Sequence, residues 1–374
     1  MSRRWLPAFE SDLPRICADL ESLVRLESPS DDAIRVSLLA AWIHDRLRER
    51  GVPSDLRPCP PRGDALLAAV GSRQGGTLLL GHLDTVWPAG TLASMPWSLE
   101  GGRATGPGVF DMKGGIAVAI SIMAAMVRTT RPSPPVSLLL VPDEEVGSPA
   151  SRELTLSVAR RHGRVLVLEP PLAGAVHVAR KGCGIFRARF TGRASDAGVE
   201  PEKGASALSE LARFVLFLEG TAEPAMGTTL IASIARAGFA PNMVPELAEV
   251  VVDARASSRA EAERVSEAIR SYAPFDPGVS IAIEGAFDRP PLEPTPASEE
   301  LYQAARRLAA ELDLELPAAR SGAASDGNLT AAAGIPTLDG LGPPGGGAHA
   351  RSEHVLVAEM PKRAALVAGL ASEA

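Results

Sequence analysis

The chain has 374 residues, 45% of them hydrophobic and 22% charged, with a formal net charge of −7. That length and apolar content suit a globular protein with room for two domains and exclude a disordered chain. The acidic balance and scattered Lys and Arg speak against nucleic acid, and Cys17, Cys59 and Cys183 form neither a disulfide framework nor a zinc knuckle. The opening MSRRWLPAFESDLP meets proline and acid where a secretory signal needs a continuous apolar stretch. No uninterrupted apolar run reaches the roughly 18 residues needed to span a bilayer. The expectation is a cytoplasmic protein with no membrane partner.

Residues 11–25 and 33–49 carry apolar side chains at helical spacing, with Gly51 as the second helix's C-terminal stop. The short apolar runs 65–70 and 77–80, separated by a Gly-rich turn, read as neighbouring strands. Residues 114–128 form an apolar helix, and the Val- and Leu-rich runs 136–141 and 165–168 read as strands with a helix at 152–161 between them. This alternation predicts a mostly parallel sheet wrapped by helices. After Lys181 the order becomes strand 185–190, helix 205–218, strands 228–235 and 247–255, helix 259–272 and strand 279–283. That β-α-β-β-α-β order is the signature of a ferredoxin-like unit, inserted into the first domain. Helices at 298–312 and 358–370 complete the chain.

Reactive side chains gather at the ends of the predicted strands. His82 and Asp84 follow the first, Asp143, Glu144 and Glu145 the second, and Glu169 the third. Asp111 sits in a glycine-flanked turn and His349 in the loop PPGGGAH. Open α/β sheets place ligands at such carboxyl ends. Three consecutive acids at the tip of an apolar strand repel one another unless cations balance them, and a divalent metal would do so. Imidazole and carboxylate donors without thiolate favour zinc, cobalt or manganese in a catalytic site. Two such ions need a bridging carboxylate and would hold a hydroxide for attack on a carbonyl, with a further carboxylate as proton shuttle. Glu144 and Glu145 offer one shuttle and one ligand.

GHLDTV, GPGVFDMKGG, PDEEVGS, LEP and GGGAH, in that order, resemble the motifs of a dinuclear zinc peptidase and amidohydrolase family. This family includes glutamate carboxypeptidase, aminoacylase, acetylornithine deacetylase and succinyl-diaminopimelate desuccinylase. The similarity runs from about Leu20 to the end; GHLDTVWPAG, EPEKG and DGLGPPGGGAH bring it nearest to the bacterial glutamate carboxypeptidase type. The resemblance implies an α/β catalytic domain, residues 1–180 and 294–374, with a mixed, mostly parallel sheet and helices on both faces. A ferredoxin-like lid, residues 181–293, would also form a homodimer. It implies two zinc ions bridged by Asp111, with His82 and Glu169 completing one site and Glu145 and His349 the other. Glu144 would be general base and then acid, and Asp84 would accept the second ring N–H of His82. The Asp111–Met112 peptide would be cis. The resemblance further implies that the substrate would be an N-acyl amino acid or peptide whose carboxylate would be held by Asn242 in APNMVP and Arg289 in DRP, with Arg255 as a further candidate.

Two positions depart from the family. His177 stands where a substrate-binding lysine is found, and Asp196 replaces a lid histidine that stabilises the oxyanion. A carboxylate repels developing negative charge, and loss of such a donor costs on the order of 100- to 1000-fold in turnover. Either Asp196 is protonated or metal-shielded, or it recognises a cationic substrate, or the chemistry has drifted toward a specialised-metabolite amidohydrolase or acyl transfer. A non-catalytic metal or peptide binder is the reading from another class, and it would not need Glu144.

Overall fold

The computed structural model describes residues 1–129 and 133–373. The chain divides into two compact units, one of Met1–Val178, Pro294–Ser321 and Ser325–Ala374, the other of Ala179–Glu293 with Gly322–Ala324.

In the first unit six strands lie side by side in the order Ser54–Pro58, Asp64–Val70, Val136–Val141, Thr77–His82, Arg164–Val167 and Thr337–Leu338. The last four are mutually parallel; the first two are an antiparallel addition at one edge. Val136–Val141 and Thr77–His82 are buried at every position, as apolar strands covered on both faces must be. Their side chains still alternate: Leu79 joins the core of the helices Leu6–Arg25, Ala33–Glu49, Gly114–Arg128 and Met360–Ala371. Leu78 and Leu80 face Val158 of the helix Arg152–Ala159 on the opposite side. The stretch Val109–Arg128 is long and apolar enough by composition to cross a bilayer. Here it is enclosed by the sheet and its neighbouring helices, which is what an all-round apolar core helix requires.

Three details differ from the expectations. The strands 65–70 and 77–80 are not neighbours: Val136–Val141 lies between them, parallel to the second and antiparallel to the first. The helix Gly114–Arg128 makes the crossover that returns the chain beside Thr77–His82, and such a crossover is needed for parallel pairing. The first helix begins at Leu6, with Pro7 in its first turn where a missing N–H costs no helical bond, and it continues through Pro14. The edge strand Ser54–Pro58 has a mixed composition that no periodicity marks.

The second unit runs Gly182–Thr191, helix Ala207–Thr221, Thr229–Ala237, Leu247–Ala256, helix Arg259–Ser271 and Ser280–Arg289. The strands stand in the order Thr229–Ala237, Leu247–Ala256, Gly182–Thr191, Ser280–Arg289, all antiparallel, which is the ferredoxin-like arrangement. Phe186, Ala188 and Phe190 face the helices and pack with Phe214, Leu218, Val265 and Ile269, while Ile185, Arg187 and Arg189 face outward. Ser206 and Ser258 cap the two helices by accepting backbone N–H groups at their starts.

Candidate metal centre

Thr77–His82 is the strand at which the chain changes direction across the parallel part of the sheet, first to Val136–Val141 on one side and then to Arg164–Val167 on the other. A crevice forms at the carboxyl ends of strands at such a switch point. Backbone bonds carry the sheet just past its last residues: Leu83 N–H donates to Val141 O (2.8 Å) and Leu168 N–H to Leu80 O (2.9 Å). His82, Glu144, Glu145 and Glu169 therefore leave adjacent strands at one level. Asp111 reaches the same place from the turn Val109–Lys113, where the Asp111–Met112 peptide is cis, and His349 from the glycine-rich loop with a left-handed backbone, φ 60°.

These side chains form a chain of contacts. His82 Nε2 stands 3.2 Å from Asp111 Oδ1 and 3.3 Å from Glu169 Oε1. His349 Nε2 stands 3.3 Å from Asp111 Oδ2 and 3.3 Å from Glu145 Oε2. Asp111 thus presents one oxygen to each histidine, and each histidine has its own carboxylate beyond. Ligand atoms of His82, Glu144 and Glu169 also lie within 4.8 Å of one another, as do those of His82, Asp111 and Glu145.

The charges of the metal-free centre follow from this packing. Burial opposes ionisation of Asp111, but hydrogen bonds from His349 and His82 outweigh it and hold the carboxyl well below its usual range. The bonds to Asp111 and Glu145 push His349 up to about 10. Burial disfavours charge on His82, yet Glu169, Asp111 and Asp84 raise it well above an ordinary imidazole. Burial, aided by the charge on Asp111, lifts Glu169 to about 7. Protons on the two imidazoles hold together a cluster of acids that would otherwise repel. Glu145 Oε1 is buried without a hydrogen-bond partner. A ring of imidazole and carboxylate donors with an orphaned buried oxygen fits divalent cations in place of those protons.

Asp84 meets the second ring nitrogen of His82 with both its main chain and its carboxylate. His82 Nδ1 meets the main-chain oxygen of Asp84 at 2.9 Å, while the nearer carboxylate oxygen is 3.5 Å away. The carboxylate also accepts from Ser30 Oγ (2.7 Å), Glu144 N–H (3.0 Å) and Glu145 N–H (3.2 Å), so it fixes the turn that carries the two glutamates. Ser148, at φ 54°, ties the same turn to buried Asp326 through its hydroxyl at 2.5 Å.

One residue escaped the sequence reading altogether. Glu353, buried, accepts from Phe110 N–H (2.9 Å) and Asp111 N–H (3.0 Å) on one oxygen, and from Gly108 N–H (3.1 Å) and Trp87 Nε1–H (2.7 Å) on the other. A single carboxylate therefore joins the turn bearing Asp111, the loop leaving His82 and the loop bearing His349. A lone glutamate in ARSEHV carries no local signal beyond following His349.

The candidate substrate residues fall in two groups. His177 belongs to the first unit and is buried, its Nε2 at 3.2 Å from Pro170 O and its backbone paired with Asp339. Asn242, Asp196, Arg289 and Arg255 belong to the second unit. Asp196 pairs with Met243, and Ala197 N–H donates to the main-chain oxygen of Asn242 (3.0 Å), so these two distant sequence positions are neighbours. Asp196 Oδ1 accepts from Gly198 N–H (2.8 Å) and Val199 N–H (2.9 Å), which hold the carboxyl below its usual range. The loop around Asp196 thus stabilises its charged form. Arg289 is buried at the end of its strand, in register with Cys183. Arg255 forks onto Asp253 (2.7 and 2.8 Å), which makes it a partner of its own strand.

A histidine and carboxylate centre at the carboxyl ends of an α/β sheet is that of a metallohydrolase. The family model of peptidase family M20/M25/M40 matches residues 78–373, and the chain belongs to that family. Carboxypeptidase G2 of Pseudomonas sp. (strain RS-16) is 29% identical over 376 residues, covering 97% of this chain and 90% of the relative. The solved aminopeptidase PepT of Bacillus cereus superposes with a TM-score of 0.79 at 20% identity, covering 96% of this chain and 98% of that one. The YXEP protein of Bacillus subtilis, described as a dinuclear metal-binding peptidase of the M20 family, gives 0.68 at 15% identity over 97% and 98%. The protein is thus a metallopeptidase-family enzyme with the fold of these relatives.

Proposed function

We propose that the protein hydrolyses an amide bond, peptide or N-acyl, next to a free carboxylate, in the manner of a glutamate carboxypeptidase. Two zinc ions per chain, replaceable by cobalt or manganese, would be held by His82, Glu169, Asp111, Glu145 and His349. The disposition of Asp111, one oxygen toward each histidine, is the observation that carries this reading. When bound, the ions polarise the scissile carbonyl and activate water. Glu144 takes the water's proton and delivers it to the leaving nitrogen, within reach of the His82 and Glu169 donors. Asn242 and Arg289 hold the substrate carboxylate, Arg289 through its two-pronged guanidinium, while His177 and Asp196 reshape the family's pocket. The outer strand Thr229–Ala237 bears Ile231 and Ile234 exposed on the sheet's edge, which favours a homodimer made by edge pairing.

The ionised Asp196 favours a second reading, a specialised amidohydrolase whose substrate carries a cation opposite that residue. Metal analysis followed by a screen of N-acyl amino acids and dipeptides with zinc and cobalt separates the two. Two metals per chain with turnover of acidic C-terminal residues are expected. Turnover confined to cationic substrates selects the second reading, and two metals with no amide turnover on any panel member defeats both.

A further inference from the structure

We propose that a trough leading away from Glu145 receives the acyl half of the substrate, and that this half is elongated, apolar and free of carboxylate. The proposal rests on the amide-hydrolysis reading and names the substrate class it acts on. The trough's walls are segments far apart in sequence and bound to one another. Thr85 N–H donates to Ser28 O (2.9 Å), Ser30 N–H to Thr85 O (3.2 Å), and the Asp84 carboxylate takes both Ser30 Oγ and the N–H groups of the glutamate turn.

Between these walls lies a hollow of about 330 Å³, lined by Pro29, Asp31, Val86, Pro88, Glu145 and Val146 among others. A second hollow of about 520 Å³ shares Pro29, Asp31 and Pro88 and continues to Ala89 and Ile34. Sharing those three residues, the two adjoin as one surface trough, and the first of them is lined by Glu145, a candidate metal ligand. Along it Val86 is 43%, Val146 45% and Ile34 74% exposed, an apolar line displayed to water. Scattered exposed aliphatics are ordinary, but three on one groove that starts at Glu145 mark a surface an apolar ligand would cover.

Charge selects which half of the substrate fits. Neither hollow is lined by a Lys or Arg, and the acids present are Asp31, Asp32 and Glu145. Asp32 is offset by Arg35 (3.2 Å), which leaves a mildly acidic rim. A carboxylate-bearing group gains no partner here and is repelled, so the acid half belongs elsewhere and a succinyl group is disfavoured. An alkyl or aryl acyl chain, neutral or ending in an amine, covers the valines and reaches Ile34 only when long.

An N-acyl-glutamate series from acetyl to decanoyl, with succinyl included, tests this on the zinc-loaded protein. Each added methylene is expected to raise kcat/KM by roughly two- to fourfold, since burying one in water-exposed apolar surroundings is worth up to about that factor. Val86→Asp should flatten the whole series and Ile34→Glu only its long end, with succinyl slower than butanoyl throughout. Binding of the uncleavable ketomethylene isosteres reads the trough without turnover and should show the same length dependence. Turnover that ignores acyl length, or prefers succinyl, overturns the trough while leaving amide hydrolysis intact. Length-dependent isostere binding with no cleavage of any amide keeps the trough and sinks the hydrolase reading.

Discussion

The candidate metal centre and the second unit's candidate substrate residues are built on opposite physical terms. Around Asp111 the placement is over-determined: its backbone N–H is held by Glu353, its two oxygens by His82 and His349, and the neighbouring glutamate turn by Asp84 and Asp326. In the second unit Asp196 is exposed, with its carboxylate bonded within its own turn, and Arg255 is occupied by its strand neighbour Asp253. Buried charges survive only when geometry compensates them, so one altered partner is felt across the centre. An exposed loop residue can change identity with little effect on the fold, which is where a family varies its substrates.

The comparison breaks most severely at Glu144. Glu144→Ala should lower kcat by on the order of 100- to 10,000-fold, the range for a general acid–base, while metal content stays at two per chain. Loss of metal from that variant would mean that Glu144 and Glu145 have exchanged roles. Next is Glu353→Gln, nearly the same shape. Its amide NH₂ must face two of the four N–H donors that the carboxylate satisfies. Affinity for both ions should fall together, by roughly 10- to 100-fold as for other residues that orient ligands. Cobalt titration of the metal-depleted variant checks this, and weakening at one ion alone would show that Glu353 does not act through the bridging residue.

Proton linkage gives a smaller and graded effect. In the metal-free protein His349 is raised to about 10 by Asp111 and Glu145, above its unfolded value of about 6.5. This contact therefore adds stability fully below pH about 6.5 and loses it as pH rises through about 10. A metal must displace that proton, so apparent affinity should climb about tenfold per pH unit for each proton released over the same window. Dye-reported proton release on zinc addition measures it, and a pH-independent affinity would contradict the charged pair. The smallest expected change lies in the second unit. Asp196→His should raise turnover of N-acyl-glutamates several-fold if the carboxylate is drift, without altering metal content. An unchanged or lower rate would show that Asp196 has a use of its own.

Much of this was legible in the chain before folding. His82, Glu145 and Glu169 follow strand ends, and Asp111 and His349 sit in glycine-rich motifs, with side-chain types that already suit a cation; the period of the apolar residues separated a helix-wrapped sheet from a ferredoxin-like insert. Local patterns can specify these because each depends on residues near one another in sequence. The insertion of Val136–Val141 between two consecutive strands, the use of Asp84's carboxylate for the glutamate turn, and the clamp of Glu353 on Trp87, Gly108, Phe110 and Asp111 were decided by tertiary structure alone. Each joins groups far apart along the chain, and a buried carboxylate goes where the packed backbone leaves N–H groups to satisfy, which no neighbouring residue announces.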